Sequence, residues 1–258
     1  VVAASAALKR APRPDASLDS EVLRGEIFKV FEETPEGWSW GQLETDGYVG
    51  YVATDALGEL APEPTHRVTA LRTFVYPGPD LKLPAMDVLS IGCRIVLSGE
   101  ATTRGTRYHL LSGGAGAVVA SHVAPVDAPR EPDFVAVAER FLETPYLWGG
   151  RTSVGLDCSA LVQVALAESG HPVPRDTDLQ EAMIGEDVAG GIDGDLARGD
   201  LVFWRGHVGI LADRQRLIHA SGFHMKVVIE PLVEAVERIA RDSGMPTSVR
   251  RVLLVPNG

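Results

Sequence analysis

Two proline-rich stretches, GELAPEPT (58–65) and APVDAPREP (124–132), divide this chain of 258 residues into segments of about 60, 60 and 130 residues. Proline has no amide donor and a fixed φ, so neither stretch continues a helix or a central strand, and each reads as a linker. Segments of that size are in the range of small domains, with boundaries read at 1–60, 66–125 and 130–258. The first two carry short runs of alternating or β-branched and aromatic residues between Gly and Asp turns. These are EIFKVFEE, WSWGQLE and GYVGYVA, then RVTALRTFVY, CRIVLSG and RYHLLS, and they predict strands. A weak repeat at an offset of 66 matches Gly47, Gly50 and Val52 with Gly113, Gly116 and Val118. Neither segment is large enough for a sandwich, so each is expected to be a small β-barrel.

The third segment changes period. PDFVAVAERFLET is apolar at Phe134, Val135, Ala138, Phe141 and Leu142, which is helical spacing. DCSALVQVALAESG predicts a second helix, with Asp157 as N-cap and Gly170 as its stop. LVFW, HVGILA, LIHAS and KVVIE follow as strands. PLVEAVERIARDSG is a helix with Pro231 in its first turn, and VRRVLLV a closing strand. Helices followed by an antiparallel sheet make an α+β domain.

A formal net charge of −11 argues against nucleic acid or an anionic membrane surface as the main partner. No apolar run approaches the roughly 18 residues of a membrane span. No obligate protein partner is evident either. The opening VVAASAALKR has no basic region before its short apolar stretch and does not read as a signal peptide. Two cysteines, Cys93 and Cys158, make no disulfide framework, which leans toward a reducing interior and a cytoplasmic location. The chain lacks an initiator Met, so a periplasmic or secreted location stays open.

Cys158 falls in the first turn of the second helix. A thiol attacks as its thiolate, favoured at a helix N-terminus and beside an imidazolium. Of the seven histidines, His207 opens the strand HVGIL and His219 lies inside LIHAS. If the turn between them is centred on Arg214, Ala212 pairs with Arg216, Gly209 with His219 and His207 with Ser221. Both imidazoles then share a face as diagonal neighbours. That arrangement permits Cys158 as nucleophile, His207 as general base and then acid, and His219 as the residue that orients His207. A Cys158–His207 ion pair is expected to lower the thiol pKa, raise that of the imidazole and make activity bell-shaped in pH. On these residue types alone Cys158 also reads as a small buried residue, with His219 a core histidine. Zinc is a third reading, without the close ligand pairs of structural sites.

TPYLWGGRTSVGLDCSALVQ, VPRDTDLQ, RGDLVFWRGHVGI and LIHAS, in that order over about 140–222, resemble the NlpC/p60-type cysteine peptidases that cut bacterial cell-wall peptides. The resemblance implies a compact papain-like domain with Cys158 as nucleophile, His207 as base and His219 as the third polar residue. It implies Tyr146 as a tyrosine assisting at the oxyanion and Trp148 as an aromatic wall. Ala160 stands where Gly is usual after DCS, a small-for-small change. No metal or cofactor is implied.

The two barrels before that domain resemble bacterial SH3-like domains in γ-D-glutamyl–diamino acid endopeptidases, which act on peptides with a free N-terminal L-alanine. By that resemblance Asp176, in RDTD, binds the substrate amine. Glu26, in LRGE, and Tyr48, in DGYVGY, are the barrel's contributions. Ser159 matches a residue that binds the D-glutamyl α-carboxylate, and Asp157 is placed with these substrate-binding residues. The alternatives are a turn carboxylate at Glu26, a packing aromatic at Tyr48 and a first-turn serine at Ser159. Glu26 and Asp176 are expected to approach each other near Cys158. Tyr51 stands where a tryptophan is common, and Ala117 occupies the matching place in the second barrel, which reads as a spacer. Cys93 reads as a buried strand residue. The reading that follows is a cysteine endopeptidase of peptidoglycan recycling. Its alternatives are a wall-binding protein with a vestigial peptidase domain, and an amidase or acyltransferase using the same thiol.

Overall fold

The computed structural model describes residues 1–60 and 62–253. Ala61, in the first proline-rich stretch, and Leu254 and Val255, at the end of the expected VRRVLLV strand, lie outside them. The chain divides into two compact units, Val1–Pro129 and Arg130–Gly258.

The first unit begins with β1 (Ser5–Lys9), β2 (Leu18–Leu23), β3 (Phe28–Glu33), β4 (Trp38–Leu43) and β5 (Val49–Ala53). They form one antiparallel sheet in the order β2-β1-β5-β4-β3. Inward residues Leu8, Val22, Leu43 and Val52 are fully buried and make its core, as period-2 alternation requires. The next strands are β6 (His66–Val68), β7 (Arg72–Val75), β8 (Asp87–Ser90), β9 (Arg94–Ile95), β10 (Leu97–Thr103), β11 (Thr106–Leu111), β12 (Ala117–Val119) and β13 (Val123–Pro125). They pair as β10-β11-β12, β13-β6-β9 and β7-β8. CRIVLSG, expected as one strand, is broken at Val96 into β9 and β10. The repeat is structural. A 3₁₀ turn, Thr54–Ala56, follows β5, and another, Ala120–His122, follows β12 at the same offset, with Val52 and Val118 both fully buried.

The first proline-rich stretch does not hold the two barrels apart. Leu23 packs into the second barrel's core with Val68, Leu89, Cys93 and Ile95. The Arg94 amide donates to the Arg24 carbonyl at 2.8 Å. Gly25 sits there at φ +80°, and a Cβ on it would collide with the Arg94 carbonyl oxygen. Cys93 is fully buried beside this seam, and burial pushes its thiol up to about 12.

The second unit opens with α1 (Phe134–Glu139), capped by Asp133, which accepts from the amides of Val135 and Ala136. The helix is shorter than its apolar spacing predicts. Glu143 turns the chain at φ +68°, and Thr144 precedes Pro145, which disfavours helical backbone there. Then come β14 (Arg151–Thr152), β15 (Gly155–Leu156), α2 (Cys158–Glu168) and α3 (Thr177–Met183), the last not foreseen from sequence. A six-stranded antiparallel sheet follows from β16 (Glu186–Asp187), β17 (Asp200–Trp204), β18 (His207–Asp213), β19 (Arg216–Ser221), β20 (Lys226–Pro231) and, after α4 (Leu232–Ser243), β21 (Ser248–Arg251). Its order is β16-β21-β17-β18-β19-β20. Pro231 precedes α4 as its N-cap residue rather than lying in the first turn. Every residue of α2 from Cys158 to Leu166 is buried, as befits a helix apolar on all sides, and it packs against β18 and β19. Leu232 and Ala235 of α4 pack into the cluster of Val202, Trp204, Leu211 and Leu217.

Candidate active site

Cys158 is the first residue of α2 and Asp157 its N-cap, whose Oδ1 accepts from the Ala160 amide at 2.9 Å. Gly170 follows the helix at φ +92°, where a left-handed residue ends it. The tip of α2 is locked by one buried ion pair. Arg175 donates to Asp157 Oδ1 at 2.9 Å and Oδ2 at 2.7 Å, and to Ser159 Oγ at 2.8 Å. The Gly149 amide adds a bond to Asp157 Oδ2 at 2.9 Å. Arg175 is 2% exposed, and although burial alone would lower its pKa, Asp157 outweighs that and raises it. Sequence reading passed over Arg175 as a site residue. Its signal was a lone basic residue between Pro174 and Asp176.

The histidines meet as the diagonal argument requires. His207 Nε2 and His219 Nδ1 are 2.7 Å apart. Ile210 pairs with Ile218 and Leu211 with Leu217, the expected register, which carried one step further sets Gly209 opposite His219. The expected Ala212–Arg216 pair is corrected: a bulge at Ala212 sets Asp213 opposite Arg216. The bulge lies at the turn end, so the faces of the histidines are preserved. On its other side His207 pairs with Trp204 across a two-residue hairpin, with Gly206 at φ +76°, and the two rings lie 5.7 Å apart. The backbone amides of Val208, next after His207, and of Ser159 donate to the Cys158 thiol.

The expected ionisation is reversed. Burial pushes the Cys158 thiol up to about 11, with the Asp157 charge adding to it and the Val208 amide and Arg175 opposing. Burial pulls His207 down to about 3, helped by His219 and Arg238 and opposed by Glu230. Both shifts run toward a neutral thiol and a neutral imidazole, with desolvation the largest cause of each. His219, 2% exposed, is lowered by burial against the pull of Glu230.

Glu230 and Arg238 were not picked out from sequence. Glu230 Oε1 is 2.6 Å from His219 Nε2, and Arg238 grips both Glu230 oxygens. On β20, Val228 is opposite His219 and Glu230 opposite Leu217, so Glu230 is the diagonal neighbour on the same face. Only the pairing register, unknown from sequence, brings it there. Burial would raise the Glu230 carboxyl, but the bonds and charges of His219 and Arg238 hold it well below the usual carboxylate range.

Tyr146 lies close enough that Cys158 and Asp157 add to the rise in its pKa that burial begins. Trp148 is 64% exposed. Ser159 is buried, its hydroxyl accepting from Arg175 and donating to Asp157. Asp157, expected among the substrate-binding residues, caps the helix and holds Arg175, its carboxylate engaged by Arg175 and by the Gly149 and Ala160 amides. Asp176 is half-buried, holds the N-cap position of α3 without a side-chain capping bond, and acts on Arg175 through its charge. Glu26 belongs to the first unit. It is 4% exposed, and its Oε2 accepts from the Leu23 amide at 2.7 Å across the Leu23–Glu26 turn, so it is a buried turn carboxylate and not a solvated one. Tyr48 is half-buried and packs on the first barrel's core. Among the described residues no cluster of three or more His, Cys, Asp or Glu is arranged to hold a metal.

The profile of the bacterial dipeptidyl-peptidase Sh3 domain matches residues 8–57, and that of the NlpC/P60 family matches 143–238. Dipeptidyl-peptidase 6 of Lysinibacillus sphaericus is 26% identical over 239 residues, 86% of each chain. The probable endopeptidase NlpC of Escherichia coli is 36% identical over 116 residues, 39% of this chain and 72% of that protein. A crystal structure of a Bacillus cereus NlpC/P60 family protein superposes with a TM-score of 0.78 over 98% of this chain and 99% of that one, at 21% identity, which speaks to the fold. Coverage is lower elsewhere: the chain spans 60% of a Bacillus cereus γ-D-glutamyl-L-lysine dipeptidyl-peptidase, at 26% identity over 209 residues.

Proposed function

The chain belongs to the NlpC/P60 family of peptidases, and from that premise we propose that it is a cysteine endopeptidase hydrolysing the γ-D-glutamyl–L-diamino acid bond of peptidoglycan-derived peptides with a free N-terminal L-alanine. The observation that carries the reading is Cys158 at the tip of α2, whose thiol takes the amide of Val208, the residue after His207, while His207 lies 2.7 Å from His219 on the neighbouring strand. The names of the relatives, dipeptidyl-peptidase and γ-D-glutamyl-L-lysine dipeptidyl-peptidase, support the bond chosen.

In this reading His207 takes the thiol proton as Cys158 sulfur attacks the γ-carbonyl of the D-glutamyl residue. The tetrahedral oxyanion is stabilised by donors around the helix tip, with the Tyr146 hydroxyl assisting. Collapse of the intermediate breaks the C–N bond, His207 returns its proton to the leaving amine, and a thioester remains. Water, deprotonated by His207, then hydrolyses the thioester and restores the thiol. Asp176 pairs the substrate ammonium, since burying such a cation alone costs several kcal/mol. Trp148 and Ser159 complete the substrate contacts.

Incubation with L-Ala-γ-D-Glu-meso-diaminopimelate, with products read by mass, is the test. The expected products are L-Ala-D-Glu and free diaminopimelate, with none from Cys158→Ala and less loss in His219→Ala than in His207→Ala. An untouched peptide, or cleavage at another bond, overturns the reading. Cleavage that persists in Cys158→Ala overturns the nucleophile.

A further inference from the structure

The His207–His219 pair does not end at His219. Four side chains from four elements run in one line: His207 on β18, His219 on β19, Glu230 on β20 and Arg238 on α4. The contacts are 2.7 Å from His207 Nε2 to His219 Nδ1, 2.6 Å from His219 Nε2 to Glu230 Oε1, and 2.6 Å from Arg238 Nη1 to Glu230 Oε2, with a second Arg238 bond to Oε1. His219 is 2% exposed and the Glu230 side chain 10%, so water does not interrupt the line.

We propose that Glu230, gripped by Arg238, is a positioning residue that sets the direction of both imidazole hydrogen bonds and thereby leaves Nδ1 of His207 bare as the proton-accepting atom. The inference rests on the peptidase reading and deepens it. The argument is one of donors and acceptors. A guanidinium does not release its proton, and its fork holds Glu230 as a carboxylate, which only accepts. His219 Nε2 must then donate to Glu230. A neutral imidazole has one N–H, so His219 Nδ1 can only accept. At 2.7 Å its donor is His207 Nε2–H. His207 has spent its one proton there, so its Nδ1 is an acceptor. Were Glu230 a donor, every bond in the line would reverse and His207 would present N–H at Nδ1, unable to take a proton from a thiol.

The other groups facing this line do not replace Glu230. Cys158 comes from α2. His224, in the turn before β20, lies 3.5 Å from Glu230 Oε2. Phe223 supports the guanidinium from 5.0 Å. None of them bonds His219. Arg238 also offsets the charge of Glu230, so the imidazoles do not face an uncompensated anion.

The experiment uses the full chain with ¹⁵N-labelled histidine, long-range ¹H–¹⁵N spectra near neutral pH and kinetics on L-Ala-γ-D-Glu-meso-diaminopimelate. Wild type is expected to carry its protons on Nε2 of both His207 and His219, and a proton on Nδ1 of His207 overturns the proposal outright. In Glu230→Gln the amide oxygen satisfies Arg238 and the NH₂ faces His219, reversing the tautomers. The expected loss is about 100-fold or more in kcat with KM changed by less than about 3-fold, as a wrong tautomer acts on the proton step and not on binding. Arg238→Met leaves Glu230 uncompensated, so the imidazoles hold protons more tightly and the acid limb of kcat/KM moves to higher pH. Full kcat and unchanged tautomers in Glu230→Gln, with Cys158→Ala dead, overturn this inference and leave the peptidase reading standing. Turnover surviving in Cys158→Ala sinks that reading instead. Should Glu230→Gln not fold, the wild-type tautomers and the Arg238→Met profile decide.

Discussion

Cys158, the nucleophile of the proposed reaction, sits where burial favours the protonated thiol. Burial at 6% exposure opposes a thiolate more strongly than the first-turn amides favour one, and His207, itself desolvated, does not hold a compensating charge. In the proposed reaction the thiolate is made during attack by transfer to His207, as a serine hydroxyl is activated beside its base. Iodoacetamide reads this directly. Alkylation of Cys158 is expected to be slow at neutral pH and to climb toward pH of about 11, while Cys93, held at about 12 in the barrel seam, stays unmodified in the folded chain. Fast alkylation of Cys158 that is flat from mildly acidic pH upward would show a preformed ion pair and refute the neutral resting state. At this scale much was legible: the cysteine at a helix tip, the two histidines on one face of a hairpin, and Asp157 as cap. Ionisation was not, because it depends on how completely water is removed, and a residue's neighbours in sequence do not report that.

At the scale of elements, the position of α2 is set by an ion pair that spans two segments. Asp157 caps the helix and Arg175, 18 residues on, closes over it with bonds to both carboxylate oxygens and to Ser159. Removing one member leaves the other charged, buried and unpaired. Arg175→Leu is therefore expected to cost about 3–5 kcal/mol of unfolding free energy, measured by urea denaturation. The double change Asp157→Asn with Arg175→Leu is expected to recover part of it, since no lone charge remains. A loss below about 1 kcal/mol in the single variant would mean the pair is solvent-screened. The strands β17 to β20 were readable because each is a short apolar run between turn residues. The bulge at Ala212 and the early end of α1 were not. Both answer to local geometry, at a hairpin turn in one case and at Glu143 and Pro145 in the other, that apolar spacing does not encode.

For the whole molecule, the buried titratable groups define a window of stability. His207 binds a proton in the unfolded chain near 6.5 but in the native state only near 3, so protons favour unfolding as pH falls through that interval. Glu230, depressed below its ordinary 4.5, adds loss in the same direction at lower pH. Cys158 and Cys93 ionise near 9.0 when unfolded and near 11 and about 12 when native, so stability falls again above about 9, with Tyr146 adding to the loss above its ordinary 10.0. The urea midpoint of the chain should form a plateau between about 6.5 and 9, and Cys158→Ala should soften the alkaline fall. An alkaline limb unchanged in that variant would mean the thiol is not the group that titrates. Local pattern was sufficient by itself for the α+β class, for barrel strands such as β3, β4, β5 and β11, for the repeat at 66 and for His207 and His219 sharing a face, because periodicity, caps and hairpin spacing are properties of short stretches. Tertiary structure alone decided that the two barrels close into one unit through Leu23, Gly25 and Arg94, that burial favours the neutral forms of Cys158 and His207, and that Glu230 and Arg238 complete the histidine line. Those outcomes depend on strand register, on the packing of α4 and on the exclusion of water, and all three are set by contacts between residues far apart in the chain.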